Sequence, residues 1–337
     1  MGSSVPTKLM LNRPGHADLR ALKKFVGQRQ MNWKHVERDL RLIQHQYALY
    51  QRDFERCATY PALAPRSSRG PFLSALYDQR PKCLSYIEEQ RKRANAKLSV
   101  CPYCGLPGRL TLDHYLPRAK GAFPHFSVYA FNLVPACDAC QAAKGAFAPA
   151  NRRTLIRLKR RPEKRRREAL FVKLKKGSKK SKRDAAHARH GSPVRILHPY
   201  FDDFLADVIW QLEWRNNQDP VSSLELVPAV INPRRSSLVR FHIEKLKVAD
   251  RCRKDVGHWL TFAESFLRQS AIQMIEPARD AVSKLLRSTR EKDKTPNSIA
   301  CVVFRAIGTD TVLLTTVLQR ASLAVPVLTI RSQGVLL

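Results

Sequence analysis

Cys101-Pro102-Tyr103-Cys104-Gly105, the pair Asp113-His114, and the run Asn132-Leu133-Val134-Pro135-Ala136-Cys137-Asp138-Ala139-Cys140-Gln141-Ala142-Ala143-Lys144-Gly145 decide how this chain is read. Each Cys-x-x-Cys turn brings two thiolates to one side of a bend, and two such turns supply the four ligands of one tetrahedral zinc ion. That ion closes a loop and supplies folding free energy to a segment too short to bury a core of its own. A redox dithiol is the other use of a Cys-x-x-Cys pair, but two pairs bracketing an Asp-His dipeptide favour the metal. Between them, Leu110 to Leu112 and Leu133 to Val134 are short β-like runs, and the Ala- and Lys-rich stretch after Cys140 suits a helix start.

A zinc ion held by four thiolates has no open coordination position, so metal chemistry must use other residues. Asp113 and His114 follow the first β-like run. Neighbours on a strand point to opposite faces, which lets the carboxylate hold a hard cation while the imidazole faces a scissile phosphate. With an ordinary pKa of about 6.5, that imidazole is mostly neutral near pH 7 and can take a proton from attacking water.

From Cys101 to Gly145 the chain resembles the HNH, or ββα-metal, family of endonucleases, a resemblance that covers 45 of its 337 residues. The resemblance implies His114 as general base and Asp113 as ligand of a catalytic divalent ion, magnesium or manganese. It also implies Asn132 as the residue that braces the loop carrying the base. The third motif position, usually His or Asn, is Gln141 here; as the second ligand of the ion it would offer the same amide oxygen one methylene further out. Lys144 matches the lysine three residues beyond, and Lys144, Arg118, Arg165 and Arg166 are the candidate contacts to nucleic-acid phosphates. For Lys144 a merely solvated side chain at a helix start is the alternative.

Charge points the same way. The chain carries 61 Lys and Arg against 28 Asp and Glu, a formal net charge of +33, which calls for a polyanion such as DNA or RNA. The resemblance favours DNA. Eighteen of the basic residues fall between Asn151 and His190 with only Glu163, Glu168 and Asp184 among them, a linker or arm that self-repels unless solvent or phosphates screen it. An anionic membrane is the rival surface, but the apolar stretch Thr311 to Ile330 is broken by Gln319 and Arg320, and no membrane-spanning helix is expected. Met1 to Arg13 lacks the features of a secretory signal, so the expected location is the cytoplasm. Cys57, Cys83, Cys252 and Cys301 are read as buried small hydrophobes.

The expected fold class is α+β, predominantly α, with a small zinc-stapled ββα element between helical regions. Residues 1–97 form a helical region, 98–150 the nuclease domain, 151–193 the basic arm, and 194–337 a mostly helical domain. Leu19, Leu22 and Phe25, then Val36, Leu40, Ile43, Tyr47, Tyr50 and Phe54, recur at helical spacing, and a further helix is expected from Leu73 through Lys97. Helical stripes are also read in Phe204, Leu205, Val208, Ile209 and Leu212, and in Phe262, Phe266, Leu267, Ile272 and Ile275. The β-branched runs Cys301 to Phe304 and Thr311 to Val317 are compatible with strands or with a helix end.

Two more features stand out. His125 is read as a packing histidine, with a second proton carrier as the alternative. His198-Pro199-Tyr200-Phe201-Asp202-Asp203 is either metal-capable or an Asp-capped helix start after a turn, and it resembles a segment of bacterial HNH proteins, some encoded beside ATPases in antiphage defence systems. Three functions follow as expectations: a metal-dependent endonuclease, a zinc-stapled nucleic-acid-binding or scaffold module without chemistry, and an effector subunit docking on a partner such as an ATPase.

Overall fold

The structure is a computed structural model, which describes residues 17–29, 33–55, 70–79, 81–118, 123–148, 195–214, 224–229 and 232–323. The expected basic arm, with Arg165 and Arg166, and Cys57 lie outside the described residues. The architecture is α+β and predominantly α, with two small two-stranded antiparallel sheets.

Among the described residues four helices open it: α1 (Ala17–Gly27), α2 (Trp33–Glu55), α3 (Gly70–Gln79) and α4 (Tyr86–Lys97). In α2 the residues Val36, Ile43, Tyr47, Tyr50 and Phe54 are buried, the face that its spacing predicts. The single helix expected from Leu73 to Lys97 is instead two. Pro81 has no N–H and disfavours helix in the residue before it, so the run breaks into a 3-10 turn, Lys82–Leu84, before α4 restarts at Tyr86.

The central unit is strand β1 (Leu110–His114), strand β2 (Leu133–Cys137) and helix α5 (Asp138–Lys144). The strands pair antiparallel with Asp113 opposite Val134 and His114 opposite Leu133. Asn95, from α4, closes the outer edge: its amide donates to the Leu110 carbonyl at 2.8 Å and accepts from the Leu110 N–H at 3.0 Å.

Beyond residue 194 the chain forms a hairpin, β3 (Trp210–Trp214) and β4 (Leu224–Pro228), then helices α6 (Pro233–Lys245), α7 (Val248–Gln269), α8 (Ile275–Asp293), α9 (Ile299–Thr309) and α10 (Thr311–Leu323). The helical stripe read from Phe204 to Leu212 is therefore a turn followed by a strand. Within β3, Trp210 is buried while Gln211 and Glu213 are exposed, a period of two that an apolar run read at helical spacing conceals. The stripe from Phe262 to Ile275 also shifts. The buried line of α7 is Val248, Cys252, Val256, Leu260, Ala263 and Leu267, set by packing on α9 and α10, whereas Phe262 and Ile275 are exposed.

The β-branched runs near residues 301–317 are helical. Ile299, Cys301, Val302, Val303, Phe304 and Ile307 are all buried in α9, and burial on most sides outweighs a β-propensity worth at most about 1 kcal/mol per residue. Ser298 caps this helix, accepting from the Cys301 N–H at 3.4 Å. Among the described residues no single helix is long and apolar enough to cross a membrane, and α9 and α10 meet at a 100° bend.

Two contacts fasten the first Cys turn to this C-terminal part. Gly105 adopts φ +69°, its carbonyl accepts from the Ile299 N–H at 3.0 Å, and a Cβ there would lie 2.2 Å from the Asn297 carbonyl oxygen, so only glycine fits. His242, on α6, accepts from the Leu197 N–H at 3.0 Å and donates from Nε2 to the Tyr103 carbonyl at 2.6 Å.

Burial holds the His242 imidazole down at about 4, against the Tyr103 hydrogen bond that favours its charged form. The unfolded chain takes up that proton near pH 6.5, so between the two values the unfolded state binds more protons and stability falls as the pH is lowered, by up to about 1.4 kcal/mol per pH unit for this group. Urea midpoints measured from pH 7 to pH 4 are expected to fall less steeply for His242→Gln than for the wild type; parallel curves would show that His242 does not titrate across folding.

Candidate metal centre and active site

The knuckle at Cys101 is closed by main-chain bonds from Cys101 N–H to the Leu106 carbonyl (2.8 Å) and from Gly105 N–H to the Cys101 carbonyl (2.8 Å). It faces Cys137, the last residue of β2, and Cys140, in the first turn of α5. The four sulfurs lie within 4.8 Å of one another, with Cys101 Sγ 3.9 Å from Cys140 Sγ and Cys104 Sγ 3.8 Å from Cys137 Sγ. A tetrahedron with Zn–S bonds of about 2.3 Å has edges of roughly 3.8 Å, so the donor set and its spacing fit, and the four cysteines form a cluster that could hold a metal ion such as zinc.

Four thiolates around a divalent ion leave two negative charges to be met. The Cys137 N–H donates to Cys101 Sγ at 3.3 Å, and Arg251, on α7, donates to Cys140 Sγ at 3.1 Å. Sequence reasoning missed Arg251, because nothing in its local pattern marks one arginine among many as lying over the cluster. Of the other cysteines, Cys252 and Cys301 are buried and Cys83 is half-buried, as packing residues are.

Asp113 and His114 end β1 and point to opposite sides. Asp113 is buried beneath α5, where Lys144 Nζ lies 3.2 Å from Oδ1 and 3.1 Å from Oδ2 and donates to the His114 carbonyl at 2.7 Å. Burial pushes the Asp113 carboxyl up, and Lys144 opposes that shift. Lys144, 3% exposed, is thus neither a solvated helix-start lysine nor an outward phosphate contact. Gln141 donates from Nε2 to Thr111 Oγ1 and, at 3.1 Å, to the Ala136 carbonyl, clipping α5 onto both strands. Among the described residues the one group of three or more His, Cys, Asp or Glu placed to share an ion is the four-cysteine cluster.

His114 faces the other way, with Nε2 2.8 Å from the Ser127 carbonyl. A carbonyl only accepts, so Nε2 carries the hydrogen and Nδ1 keeps its lone pair. The Tyr77 ring, from α3, lies edge-on to the imidazole at 4.5 Å. Burial draws the His114 pKa down to about 4, against the Ser127 hydrogen bond that favours the charged form, so the ring is neutral near pH 7.

Asn132 is fully buried and binds the loop between the strands with both ends of its amide. Its Oδ1 accepts from the Leu116 N–H at 2.7 Å, and its Nδ2 donates to the carbonyls of Leu116 (3.1 Å) and Phe126 (3.0 Å). Its main-chain carbonyl accepts from the Tyr115 N–H at 2.8 Å. Arg118 lies against α3 as a bidentate partner of Asp78, at 2.7 and 2.8 Å, with its guanidinium 4.9 Å from the Tyr77 ring centre. His125 is buried 3.6 Å from an Asp39 carboxylate oxygen, a packing position. His198, expected in a metal-capable cluster or at a helix start, sits in the core, and its N–H donates to Asp202 Oδ2 at 2.6 Å within a turn. The Asp202 carboxylate is itself held by Arg195 at 2.6 and 2.5 Å.

Compared with family models, with curated proteins and with solved structures, the chain finds no match.

The purified protein is expected to carry one metal ion per chain by elemental analysis, zinc being the expected element, and to lose it together with its cooperative unfolding transition on treatment with a strong chelator. Replacing Cys101 or Cys140 by Ser should prevent loading, and Arg251→Ala should weaken retention by about 10- to 100-fold, as loss of an outer-shell partner does. A metal-free wild type that unfolds cooperatively and is indifferent to chelator would overturn the assignment.

Proposed function

We propose that this chain is an HNH-type endonuclease that hydrolyses phosphodiester bonds in nucleic acid, DNA by its resemblance, with zinc in the four-cysteine cluster as a structural ion. The observation that carries the reading is His114 at the end of β1 on a ββα frame, with Nε2–H tied to the Ser127 carbonyl. Nδ1 is left as a proton acceptor that stays neutral at physiological pH. In this reading Nδ1 takes the proton of the attacking water, Ser127 keeps the ring in one tautomer, and Asn132 keeps the loop in register.

Asp113 is the carboxylate this reading assigns to a catalytic divalent ion, which would have to displace the Lys144 ammonium, 3.1 Å from Oδ2 and 3.2 Å from Oδ1. A divalent ion there, magnesium or manganese, would supply charge neutralisation at the phosphate and at the leaving oxygen. Gln141 fits less well as the second ligand, because its amide nitrogen is committed to Thr111 and Ala136. The net charge of +33 supports a polyanionic substrate.

A second reading, a zinc-stapled binding module without chemistry, draws on the Asp113–Lys144 pair, which already neutralises the one carboxylate of the site. As an effector in a larger complex, with an ATPase subunit as partner, the chain would use the same residues.

Supercoiled plasmid, single-stranded DNA and RNA, each with magnesium, manganese or EDTA, separate these readings. The wild type is expected to nick plasmid only with free divalent metal, and His114→Ala to bind equally while cutting about 10²- to 10⁴-fold more slowly, the range general-base loss produces. Tight binding without cutting in any metal would replace the nuclease by the binding module; cleavage of RNA alone would change the substrate.

A further inference from the structure

Tyr50 on α2 and His198 beyond the arm region lie 148 residues apart in sequence, yet they meet in the core beside Asn132. Tyr50, Asn132 and His198 each have no solvent exposure, so every polar atom they carry needs a partner inside the protein. The partners form a chain with one direction. The Tyr200 N–H donates to His198 Nδ1 at 3.3 Å, which makes Nδ1 the acceptor nitrogen and leaves the hydrogen on Nε2. Nε2 lies 2.8 Å from the Tyr50 hydroxyl, and that hydroxyl donates in turn to Asn132 Oδ1 at 3.4 Å.

The consequence falls on the Asn132 amide. Its oxygen receives two donors, the Leu116 N–H and the Tyr50 hydroxyl, while its nitrogen faces two carbonyls, Leu116 and Phe126. A flipped amide would set the nitrogen against the Leu116 N–H and the oxygen against both carbonyls, so these backbone groups decide which way Asn132 faces, and the Tyr50 hydroxyl is placed to donate to the oxygen they leave facing it. Phe126 immediately precedes Ser127, whose carbonyl holds His114, and Leu116 lies two residues beyond His114. Asn132 thus holds the loop on both sides of the imidazole.

His198 is fixed just as firmly. Its ring is packed between Tyr115 at 4.2 Å, Phe54 at 4.8 Å and Phe201 at 4.8 Å. Its main-chain N–H is tied to Asp202, and Asp202 to Arg195. The His-Pro-Tyr-Phe-Asp string is in this view a bracket for the loop.

We propose that Tyr50 and His198 are positioning residues of the nuclease site, acting through Asn132 on the loop that fixes the His114 imidazole. The proposal rests on the nuclease reading for its effect on rate, while the positioning itself is readable without cleavage.

The test uses full-length zinc-loaded protein with ¹⁵N-labelled histidine. In the wild type the His114 Nε2–H signal, assigned by its loss in His114→Ala, is expected to report a single tautomer with slow solvent exchange. In Tyr50→Phe, which removes only the hydroxyl, that signal should broaden or exchange at least about tenfold faster, and kcat should fall about tenfold with KM unchanged, the loss expected when a bracing partner is removed. His198→Phe should behave alike, and His198→Gln, whose amide can still donate to Tyr50, should recover part of both readouts. Val256→Ala, which opens the α7 core without touching the network, should lower stability and leave the His114 signal unchanged.

An unchanged His114 signal in both Tyr50→Phe and His198→Phe would overturn the proposal, as would an equal change in Val256→Ala. If His114→Ala has no effect on cutting while Tyr50→Phe still perturbs the His114 signal, the positioning stands and the assignment of His114 as general base fails.

Discussion

Four sulfurs drawn to within 4.8 Å of one another set the frame on which everything else rests. Thiolates at that separation repel unless a cation sits among them or they keep their protons, so the cluster is a stable arrangement only with a metal or with protonation. Once closed, it locks the knuckle at Cys101 to the end of β2 and the start of α5, three pieces too short to hold one another by hydrophobic contact. The knuckle then becomes a rigid anchor for distant parts of the chain. Gly105 meets Asn297 and Ile299, Tyr103 meets His242, and Arg251 reaches the sulfurs from α7. Through these contacts the helices beyond residue 232 are joined to the central ββα unit.

The two faces of β1 are electrostatically opposite in design. On one, Asp113 and Lys144 form a buried ion pair that offsets the desolvation of each. On the other, His114 is held neutral by burial and oriented by a carbonyl. A neutral imidazole with its Nδ1 lone pair left as an acceptor and a carboxylate compensated from within are the two features that the nuclease reading uses. They also show why a cation at Asp113 competes with an ammonium already present, a competition that separates a working metal site from a binding module.

Polar groups without exposure are costly unless satisfied, and partly satisfied networks are worse than apolar cores. Around the loop between β1 and β2 the backbone is held by side chains: Asn132 is fully engaged, Gln90 donates to the Ala130 and Leu133 carbonyls, and the Tyr115 hydroxyl donates to the Ile196 carbonyl, while the His125 ring nitrogens and Gln90 Oε1 stay without a hydrogen bond. Such a network tolerates few alternatives, which is the physical reason that a loop with little regular structure can carry a side chain in one orientation.

The sequence by itself determined the elements whose signals are local. Two Cys-x-x-Cys turns announce a cluster, the spacing in Val36 to Phe54 announces the buried face of α2, and the β-like runs at Leu110 and Leu133 announce the two strands, because ligand spacing and side-chain period are short-range properties. Where one local signal admitted two answers, tertiary contact chose. The apolar run before Leu212 became a turn and a strand because Trp210 and Leu212 pack in alternation. The β-branched run near Val302 became a helix because it is buried on most sides; the expected helix from Leu73 to Lys97, by contrast, divides at Pro81 for a local reason, the proline's missing N–H. Tertiary structure alone decided that Lys144 turns inward onto Asp113, that Gln141 clips the sheet, that Arg251 lies over the sulfurs, and that Tyr50 and His198 converge on Asn132. Each of these depends on residues between 5 and 148 positions apart meeting in space, and a side chain's direction is fixed by the partner that satisfies its charge or hydrogen bond, which no local pattern encodes.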